Sequence, residues 1–304
     1  MPSPNTLICV IGPTAIGKTA LAVELAKAFD TEIISADSRQ FYKEMTIGTA
    51  VPFKEELAAI KHHFIQTKSI KDTYSVGDFE REALDLLSEL FQKKDVVVMA
   101  GGSGLYLDAV VRGLDDFPEV TPEIRNQLKD ELEQGGIEYL QSELKEVDPE
   151  SYARIDIQNK QRLIRALEIY RGTGKPYSSF LNQKSTKREF NTVFIGLTTE
   201  RTIVYARINE RVDQMISSGL IEEARSLYPF RHLNALQTVG YKELFQWFDN
   251  ELTKEEAIAE IKKNSRRFAK RQGTWFRKNE AINWFDYRTK PKEIISFLKE
   301  KKGL

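Results

Sequence analysis

Short, continuous apolar runs alternate with amphipathic stretches along the first hundred residues, and one more apolar run occurs near residue 195. Runs of this length are typical of strands that are buried on both faces of a sheet. They cover residues 7–11, 32–36, 96–100 and 192–197. Because strands that alternate with helices form parallel sheets covered by helices, the pattern predicts an α/β fold.

Apolar residues recur at helical spacing between these runs. The pattern predicts one helix over residues 20–29, with Leu21, Leu25 and Ala28 on its buried face. It predicts a second helix over residues 78–91, whose inward face is formed by Phe79, Ala83, Leu86, Leu87 and Leu90. Both helices have the one-sided apolar face of helices that pack on a sheet.

The pattern changes after the acidic segment at 115–117. Pro122 fits the first position of a helix, and the helical pattern then continues without a strand-like run until glycine and proline end it at 172–176. A polar stretch follows as far as Arg188, and the chain beyond Arg201 looks mostly helical. We expect a helical insertion over 118–190 between the two parts of an α/β core, residues 1–117 and 191–304.

Composition and charge exclude several classes of protein. The chain has 45 basic and 45 acidic residues, so a polyanion would have to be held by local basic patches. The single cysteine, Cys9, rules out a disulfide and a cysteine metal site and is expected to be a buried thiol. The start of the chain lacks the features of a signal peptide, and no run approaches the ~20 apolar residues of a membrane span. We expect a cytoplasmic monomer with no membrane contact.

The most specific local motif is GPTAIGKT at residues 12–19, which fits the phosphate-binding P-loop pattern. Its glycines let consecutive backbone N–H groups turn toward an anion. Lys18 adds a positive charge, Thr19 offers a hydroxyl to Mg²⁺, and the following helix points its N-terminus at the phosphate. The residues predicted to bind phosphate are Gly12, Pro13, Thr14, Ala15, Ile16, Gly17, Lys18 and Thr19.

Two more loops should lie beside this one, because ligands gather at the carboxyl ends of parallel strands. Asp37 follows the second predicted strand, where a carboxylate beside a bound electrophile can act as a general base. A capping residue or an indirect Mg²⁺ partner is the alternative. The third strand ends in glycines and Ser103 at 101–104 instead of the acid that holds Mg²⁺ in hydrolases, which disfavours a motor ATPase.

Basic residues are concentrated in one helical segment near the C-terminal end. Ile258, Ile261, Phe268 and Trp275 recur at helical spacing and predict one buried stripe. Away from this stripe lie Lys263, Arg266, Arg267, Lys270 and Arg271, followed by Arg277 and Lys278. Such a basic face is typical of contact with a phosphate backbone. Gln272, Trp275 and Phe276 add groups suited to unpaired bases, although the stripe favours a buried Trp275.

Two arginine pairs lie one helical turn apart. Arg162 and Arg165 share a face in the insertion, for which a solvated surface is the alternative interpretation. Arg207 and Arg211 follow the last predicted strand, and arginines that reach bound phosphates commonly stabilise a leaving group. The histidines show no metal-binding spacing and are expected in loops or at the surface: His62, His63 and His232.

Taken together, these segments resemble the tRNA dimethylallyltransferases, also called tRNA isopentenyltransferases, of the bacterial type. They lie in family order over nearly the whole chain, at 12–19, 34–50, 100–109, 146–155, 160–170, 239–243 and 269–278. The stretch ISADSRQFYKEMTIGTA at 34–50 is the most specific of them. Ser103 replaces the more common threonine, Ile16 replaces a small polar residue, and the zinc finger of eukaryotic relatives is absent.

The resemblance implies a P-loop NTPase-like core and a specific reaction. The family transfers a dimethylallyl group from dimethylallyl diphosphate to N6 of the adenosine 3′ of the anticodon in tRNA. By this resemblance the loop at 12–19 holds the diphosphate, Thr19 helps hold Mg²⁺, Asp37 accepts the proton of the amine, and Arg211 assists the leaving group. Residues matched to contacts with the anticodon stem-loop are Asp37, Ser38, Arg39, Gln40, Ser103, Gln161, Arg162, Leu163, Ile164, Arg165, Lys270, Arg271, Gln272, Trp275 and Arg277.

Two other interpretations account for part of the pattern. A P-loop kinase that phosphorylates a nucleotide or another small molecule would also use residues 12–19 and an arginine-bearing helical insertion. A non-catalytic RNA-binding protein with a nucleotide switch would use the same loop and the basic helix. Neither of them explains the stretch at 37–45.

Overall fold

The structure is a computed structural model that describes residues 5–181 and 187–302. The chain divides into two compact units, unit 1 with Met1–Arg112 and Arg188–Leu304, and unit 2 with Gly113–Lys187. Two parts of the sequence-based predictions lie outside the described residues. They are residues 1–4, at the start of the chain, where no signal peptide is predicted, and residues 182–186 of the predicted polar stretch. The predicted division at 118 and 190, and the role of the insertion toward tRNA, stay predictions.

A parallel sheet forms the centre of unit 1. Its strands are β1 (Thr6–Ile11), β2 (Ile33–Ser35), β3 (His62–His63), β4 (Val96–Ala100), β5 (Asn191–Thr198) and β6 (Ile282–Asp286). In the described residues they form a six-stranded sheet in the order β3-β2-β4-β1-β5-β6, with every neighbouring pair parallel. The predicted parallel α/β architecture is confirmed.

In unit 1, helices cover the sheet, and in unit 2 they form the regular structure. Their bounds are α1 (Lys18–Ala28), α2 (Lys54–Ala59), α3 (Val76–Phe91), α4 (Gly104–Arg112), α5 (Pro122–Val147), α6 (Pro149–Arg154), α7 (Lys160–Thr173), α8 (Arg201–Ser217), α9 (Leu220–Leu227), α10 (Tyr241–Phe248), α11 (Lys254–Phe276) and α12 (Pro291–Lys302). In unit 2, all of the described regular structure is helical (α5, α6, α7 and a short 3-10 turn). No helix in the described part of the chain is long and apolar enough to cross a bilayer.

Alternate residues of β1 enter hydrophobic cores on the two faces of the sheet. Leu7, Cys9 and Ile11 pack with the apolar faces of α3 and α4, and Ile8 and Val10 pack with those of α1, α8 and α12. Cys9 is buried, as predicted. A third core lies between the helices α8 to α11 and the segment that follows β2.

The inward faces of the first two predicted helices are confirmed at most positions. Leu21 and Leu25 are buried, whereas Ala28 is exposed because the last turn of α1 lies at the surface. On α3 the buried residues are Phe79, Ala83, Leu87 and Leu90, and Leu86 is half-buried against the same core.

Two strands were not predicted. β3 consists of half-buried His62 and His63, so the expectation that they lie in loops or at the surface is wrong for these two; two residues are too few to show a pattern of apolar positions. The expectation is confirmed for His232, which lies exposed in a turn. β6 interrupts the helical C-terminal region. Its residues Ile282 and Trp284 pack over Gly196, where an added Cβ would lie 2.5 Å from the Trp284 ring.

The buried face of α11 differs from the predicted stripe. Ala257, Ile261, Ala269, Gln272 and Phe276 are buried, Ile258 is partly buried, and Phe268 and Trp275 are 38% and 40% exposed. The predicted stripe repeats every seven residues, and such a repeat drifts around a straight helix by about 20° in each heptad. Over this helix the drift moves Phe268 and Trp275 out of the core and moves Phe276, predicted to contact bases, into it.

Unit 2 has its own core. Thr121 and Pro122 begin α5 as predicted, and Gly136 at φ 76° interrupts the helix. Three buried leucines of α5 (Leu128, Leu140 and Leu144) pack against two buried leucines of α7 (Leu163 and Leu167). Gly174 in the left-handed conformation ends α7, which confirms the predicted stop.

Candidate active site at the carboxyl edge of the sheet

The loops that follow β1, β2 and β4 lie side by side, because β4 pairs with both other strands. Backbone hydrogen bonds join them directly. Gly101 N donates to Val10 O at 3.3 Å, and Ser103 N donates to Ala36 O at 3.3 Å. The three predicted segments therefore surround one place at the edge of the sheet.

The loop at 12–19 depends on unusual backbone angles. Gly12 and Gly17 have φ of +144° and +107°, a region that favours glycine, and a Cβ on Gly12 would lie 2.6 Å from Leu197 O. The side chain of Ile16 is buried in the core below the loop, so this position anchors the loop instead of offering a group to a ligand. α1 begins at Lys18, directly after the loop.

Three cationic side chains hold this loop. Lys18 Nζ donates to Pro13 O at 2.9 Å, Arg211 to the Thr14 hydroxyl at 3.3 Å, and Arg207 Nε to Ala15 O at 2.8 Å. Burial lowers the pKa of Lys18 to about 8, against the opposing effect of the Asp37 carboxylate. Burial also lowers the pKa of Arg211. Both cations are partly buried, and a cation whose charge is disfavoured by desolvation favours the binding of an anion beside it.

Asp37 follows β2 and is half-buried. Its Oδ1 accepts a hydrogen bond from Arg39 N at 3.1 Å, so one carboxylate oxygen shapes the turn. Its negative charge acts on both Lys18 and Arg211 and opposes part of the lowering of their pKa by burial. The hydrogen bond with Arg39 N closes a turn and caps no helix, because the next helix, α2, begins only at Lys54. The role of Asp37 as a base stays a prediction.

The side chains that follow Asp37 bind other parts of the protein. The Ser103 hydroxyl accepts from Ser38 N at 3.1 Å, and Arg39 donates to the carbonyls of Asn234 and Ala235. Gln40 Nε2 donates to the carbonyls of Thr49 and Ala50. These bonds hold the loop in place, and the predicted contacts of these residues with tRNA stay predictions.

Glu223 of α9 belongs to this region and was not predicted. Its carboxylate accepts hydrogen bonds from the backbone N–H groups of Thr46, Ile47 and Gly48 at 2.8–3.0 Å, and from the Tyr241 hydroxyl at 2.6 Å. A Cβ on Gly48 would lie 2.6 Å from the Tyr241 ring. Glu223 therefore ties the matching segment 34–50 to the segment 239–243.

The glycine turn after β4 leaves room for the protein's own groups. A Cβ on Gly101 would lie 2.2 Å from Ala36 O, and a Cβ on Gly104 would lie 2.4 Å from the Trp275 ring. Trp275 Nε1 donates to Asp108 at 2.8 Å, and burial raises the pKa of that carboxyl. The prediction of a buried Trp275 is wrong, and its partly exposed ring remains a candidate for contact with a base.

Gln272 lies inside the protein. It is 5% exposed, its Oε1 accepts from Thr14 N, and its Nε2 donates to Gly102 O, both at 2.9 Å. The prediction that this amide contacts tRNA is not tested, but both ends of the amide are engaged.

Exposed basic side chains follow the outer side of α11 and its end. This α11 basic surface consists of Arg267, Lys270, Arg271, Arg277 and Lys278. Two of the other predicted cations have protein partners, since Lys263 pairs with Glu260 and Arg266 donates to Asn209.

The predicted RNA-contacting residues of unit 2 differ in exposure. Gln161 and Arg162 are exposed, and half-buried Arg165 pairs with Glu168 at 3.1 Å. Leu163 and Ile164 are buried in the unit 2 core, and their predicted contact with tRNA stays a prediction. Both residues lie on the side of α7 that packs in the unit 2 core, whereas Gln161 and Arg162 lie on its exposed side.

Comparison with known proteins decides the family. The sequence matches the family described as IPP transferase over residues 40–279. It is 61% identical to a tRNA dimethylallyltransferase of Christiangramia forsetii over 98% of both chains, and 56% identical to one of Flavobacterium johnsoniae over 97% of both. The chain belongs to the tRNA dimethylallyltransferase family. The resemblance seen in the sequence is thereby confirmed.

Solved structures of the family share the fold. The full-length tRNA isopentenylpyrophosphate transferase of Bacillus halodurans has a TM-score of 0.72 at 39% identity, over 98% of this chain and 96% of its own. A eukaryotic dimethylallyltransferase acting on tRNA has a TM-score of 0.79 at 25% identity, over 98% and 77%. The P-loop NTPase-like fold predicted for the family is confirmed.

Proposed function

We propose that this chain transfers a dimethylallyl group from dimethylallyl diphosphate to N6 of the adenosine 3′ of the anticodon in tRNA, which gives N6-isopentenyladenosine. Membership of the family supports the reaction. The single structural observation that carries the site assignment is the grouping of Asp37 with Lys18 and Arg211 around the loop at 12–19.

The loop and its cations suit a diphosphate leaving group. In the reaction the bond between C1 of the prenyl group and the diphosphate oxygen breaks, and its electron pair leaves with the diphosphate. Backbone N–H groups of the loop, Lys18 and Arg211 would neutralise this charge as it develops. Because the cations are fixed by bonds to Pro13 and Thr14, little reorganisation is needed at that moment.

Asp37 is proposed to accept the proton of the reacting amine. N6 forms a bond to C1 and must lose a proton, since it would otherwise carry a positive charge in the product. A carboxylate held by the Arg39 N–H in a fixed turn can take this proton if the adenosine has left its stack. The Asp37 proton then passes to solvent.

Mg²⁺ is part of the proposal. In the described residues no group of three or more His, Cys, Asp or Glu side chains could hold a metal ion. Mg²⁺ commonly retains several waters and binds one or two protein oxygens together with substrate phosphates, and a hydroxyl at the start of α1 is an oxygen of that kind. Thr19, partly exposed in the first turn of α1, would supply the protein oxygen, and the ion would neutralise diphosphate charge.

Contact with tRNA is assigned to the α11 basic surface, to Trp275, and to Arg162 and Arg165 of unit 2. Lysine and arginine bind phosphates without regard to base identity, whereas an exposed indole can stack on an unpaired base. A monomer that acts in the cytoplasm completes the proposal.

One incubation separates this proposal from its rivals. The protein is mixed with unmodified tRNA and labelled dimethylallyl diphosphate, and in parallel with labelled ATP and candidate acceptors. We expect label on tRNA adenosine from the first donor. Phosphate transfer from ATP without prenyl transfer would support a kinase, and nucleotide-dependent tRNA binding without either transfer would support a switch.

A further inference from the structure

Gln272 joins two loops of the candidate site through one buried side chain. Its Oε1 accepts from Thr14 N in the loop after β1, and its Nε2 donates to Gly102 O in the turn after β4. Breaking either bond would leave a buried polar group without a partner, which costs more than the bond gains. The amide therefore fixes the position of each loop relative to the other.

The turn after β4 is shaped around this amide. A Cβ on Gly102 would lie 2.2 Å from Gln272 Nε2 and 3.8 Å from Lys18 Nζ. The first distance is shorter than real contacts allow, so only a glycine lets the amide reach the carbonyl. The second distance shows that the amide contact lies beside the cation of the loop.

The bond to Thr14 also determines which N–H groups of the loop can serve a ligand. A phosphate-binding loop acts through N–H groups that converge on the anion, but the Thr14 N–H is directed to Gln272. Arg211 holds the hydroxyl of the same residue, and Arg207 holds the carbonyl of Ala15. The first half of the loop is fixed by protein groups, which pre-organises the second half for the anion.

We propose that Gln272 is a positioning residue for the diphosphate loop and not a contact to RNA. The inference rests on the proposed function, because it takes a diphosphate as the ligand of the loop. Neighbouring residues of α11 then have different tasks. Arg271 belongs to the exposed basic surface, whereas Gln272 faces inward and holds the loop.

The test compares these two neighbours. Gln272→Met keeps the length of the side chain and removes both hydrogen bonds, and Arg271→Ala removes one exposed charge. Binding of inorganic diphosphate with Mg²⁺ is measured by calorimetry, and tRNA binding is measured across a salt series. We expect Gln272→Met to bind diphosphate roughly tenfold more weakly, the factor that corresponds to about one net hydrogen bond, with a matching rise in KM for dimethylallyl diphosphate and unchanged tRNA affinity. We expect Arg271→Ala to weaken tRNA binding and to leave the affinity for diphosphate unchanged.

Thr253→Ala is the matched control for a merely structural effect. Thr253 caps the start of α11 by accepting from Glu256 N, so its loss destabilises the same helix far along the chain from Gln272. We expect it to leave diphosphate affinity unchanged. If Gln272→Met does not fold, Gly102→Ala displaces the same amide from the other side and should cause the same loss.

Two results would overturn the inference: unchanged diphosphate affinity in the folded variant, or an equal loss in Thr253→Ala. Failure of the wild-type protein to bind diphosphate at all would instead contradict the proposed function, and the inference with it.

Discussion

The guanidinium of Arg211 donates a hydrogen bond to the hydroxyl of Thr14 at 3.3 Å, although the two residues lie 197 positions apart in the chain. α8 thereby brings a cation from the second part of unit 1 onto the phosphate-binding loop. Asp37 acts on the same guanidinium from a third part of the chain. The fold thus assembles a glycine-containing loop, a cation and a carboxylate from three parts of the chain.

Arg211 should matter for the departure of the leaving group. We expect Arg211→Ala to lower kcat by about 10²–10³-fold, as the loss of one donor to developing charge does in other enzymes. Arg201→Ala is the control, because Arg201 lies on the same helix, is exposed and contacts Tyr205. Steady-state prenyl transfer checks this, and equal rates for the two variants would remove Arg211 from the mechanism.

Lys18 should give donor binding a dependence on pH. Its pKa in the free protein is about 8, because burial disfavours the charged form. Lys18 therefore loses its proton as pH rises through 8, and the affinity for the diphosphate should fall between pH 7 and pH 9. In Lys18→Met this fall should be absent, while any titration of the ligand itself remains. Dissociation constants for dimethylallyl diphosphate over this range provide the measurement, and parallel curves for the two proteins would contradict the assignment.

The same low pKa makes protein stability change with pH in the opposite direction to donor affinity. The folded-state pKa lies below the ordinary value of 10.5, so between about pH 8 and 10.5 the unfolded chain binds more protons at Lys18. The contribution of Lys18 to the free energy of unfolding therefore rises with pH over that window. A loss of donor affinity in this pH range would therefore not be explained by a loss of protein stability caused by Lys18.

Glu223 should be needed for stability of the segment after β2. Glu223→Ala leaves three backbone N–H groups and the Tyr241 hydroxyl without their acceptor. We expect the free energy of unfolding to fall by about 1–3 kcal/mol, because these partly buried donors lose their acceptor. Glu222→Ala, the exposed neighbour on α9, should change it by less than about 0.5 kcal/mol. Denaturant unfolding compares the two, and a small effect at Glu223 would show that the segment holds itself.

Phosphate contacts of tRNA should appear in the salt dependence of binding. Each such contact releases counterions, so Arg271→Ala and Arg165→Ala should each weaken tRNA binding and flatten the salt slope by somewhat under one unit. Arg288 and Arg154 supply controls, since each is exposed and paired with a nearby acid. Unchanged affinity and slope in both test variants would mean that these arginines form only a solvated surface.

How far the sequence predicts the fold depends on how local the determining contacts are. β4 is a continuous apolar run and was predicted at its observed bounds, whereas β3 has two residues and shows no pattern. On α11 the large apolar residues suggested a stripe, but the helix buries Ala269 and Gln272 and exposes Phe268. A repeat of seven residues drifts around a straight helix, so the later residues of the predicted stripe leave the buried face and small and polar residues occupy it.

The candidate site divides in the same way. The loop at 12–19 and Asp37 were predictable because glycine spacing and strand ends are local signals. Glu223 was not, since its partners are backbone N–H groups 175 to 177 residues away. Gln272 looked like a contact to bases because its polar side chain follows two exposed cations, and only the fold shows that it turns inward.

Asp37→Asn under single-turnover conditions tests the central claim most directly. An asparagine oxygen can still accept from Arg39 N, so the turn is kept while the proton acceptor is lost. With saturating tRNA and dimethylallyl diphosphate, we expect the rate of prenyl transfer to fall by about 10²–10⁴-fold with tRNA affinity little changed. A near-normal rate in this variant would contradict the assignment of Asp37 as the base and leave it as a turn-forming residue.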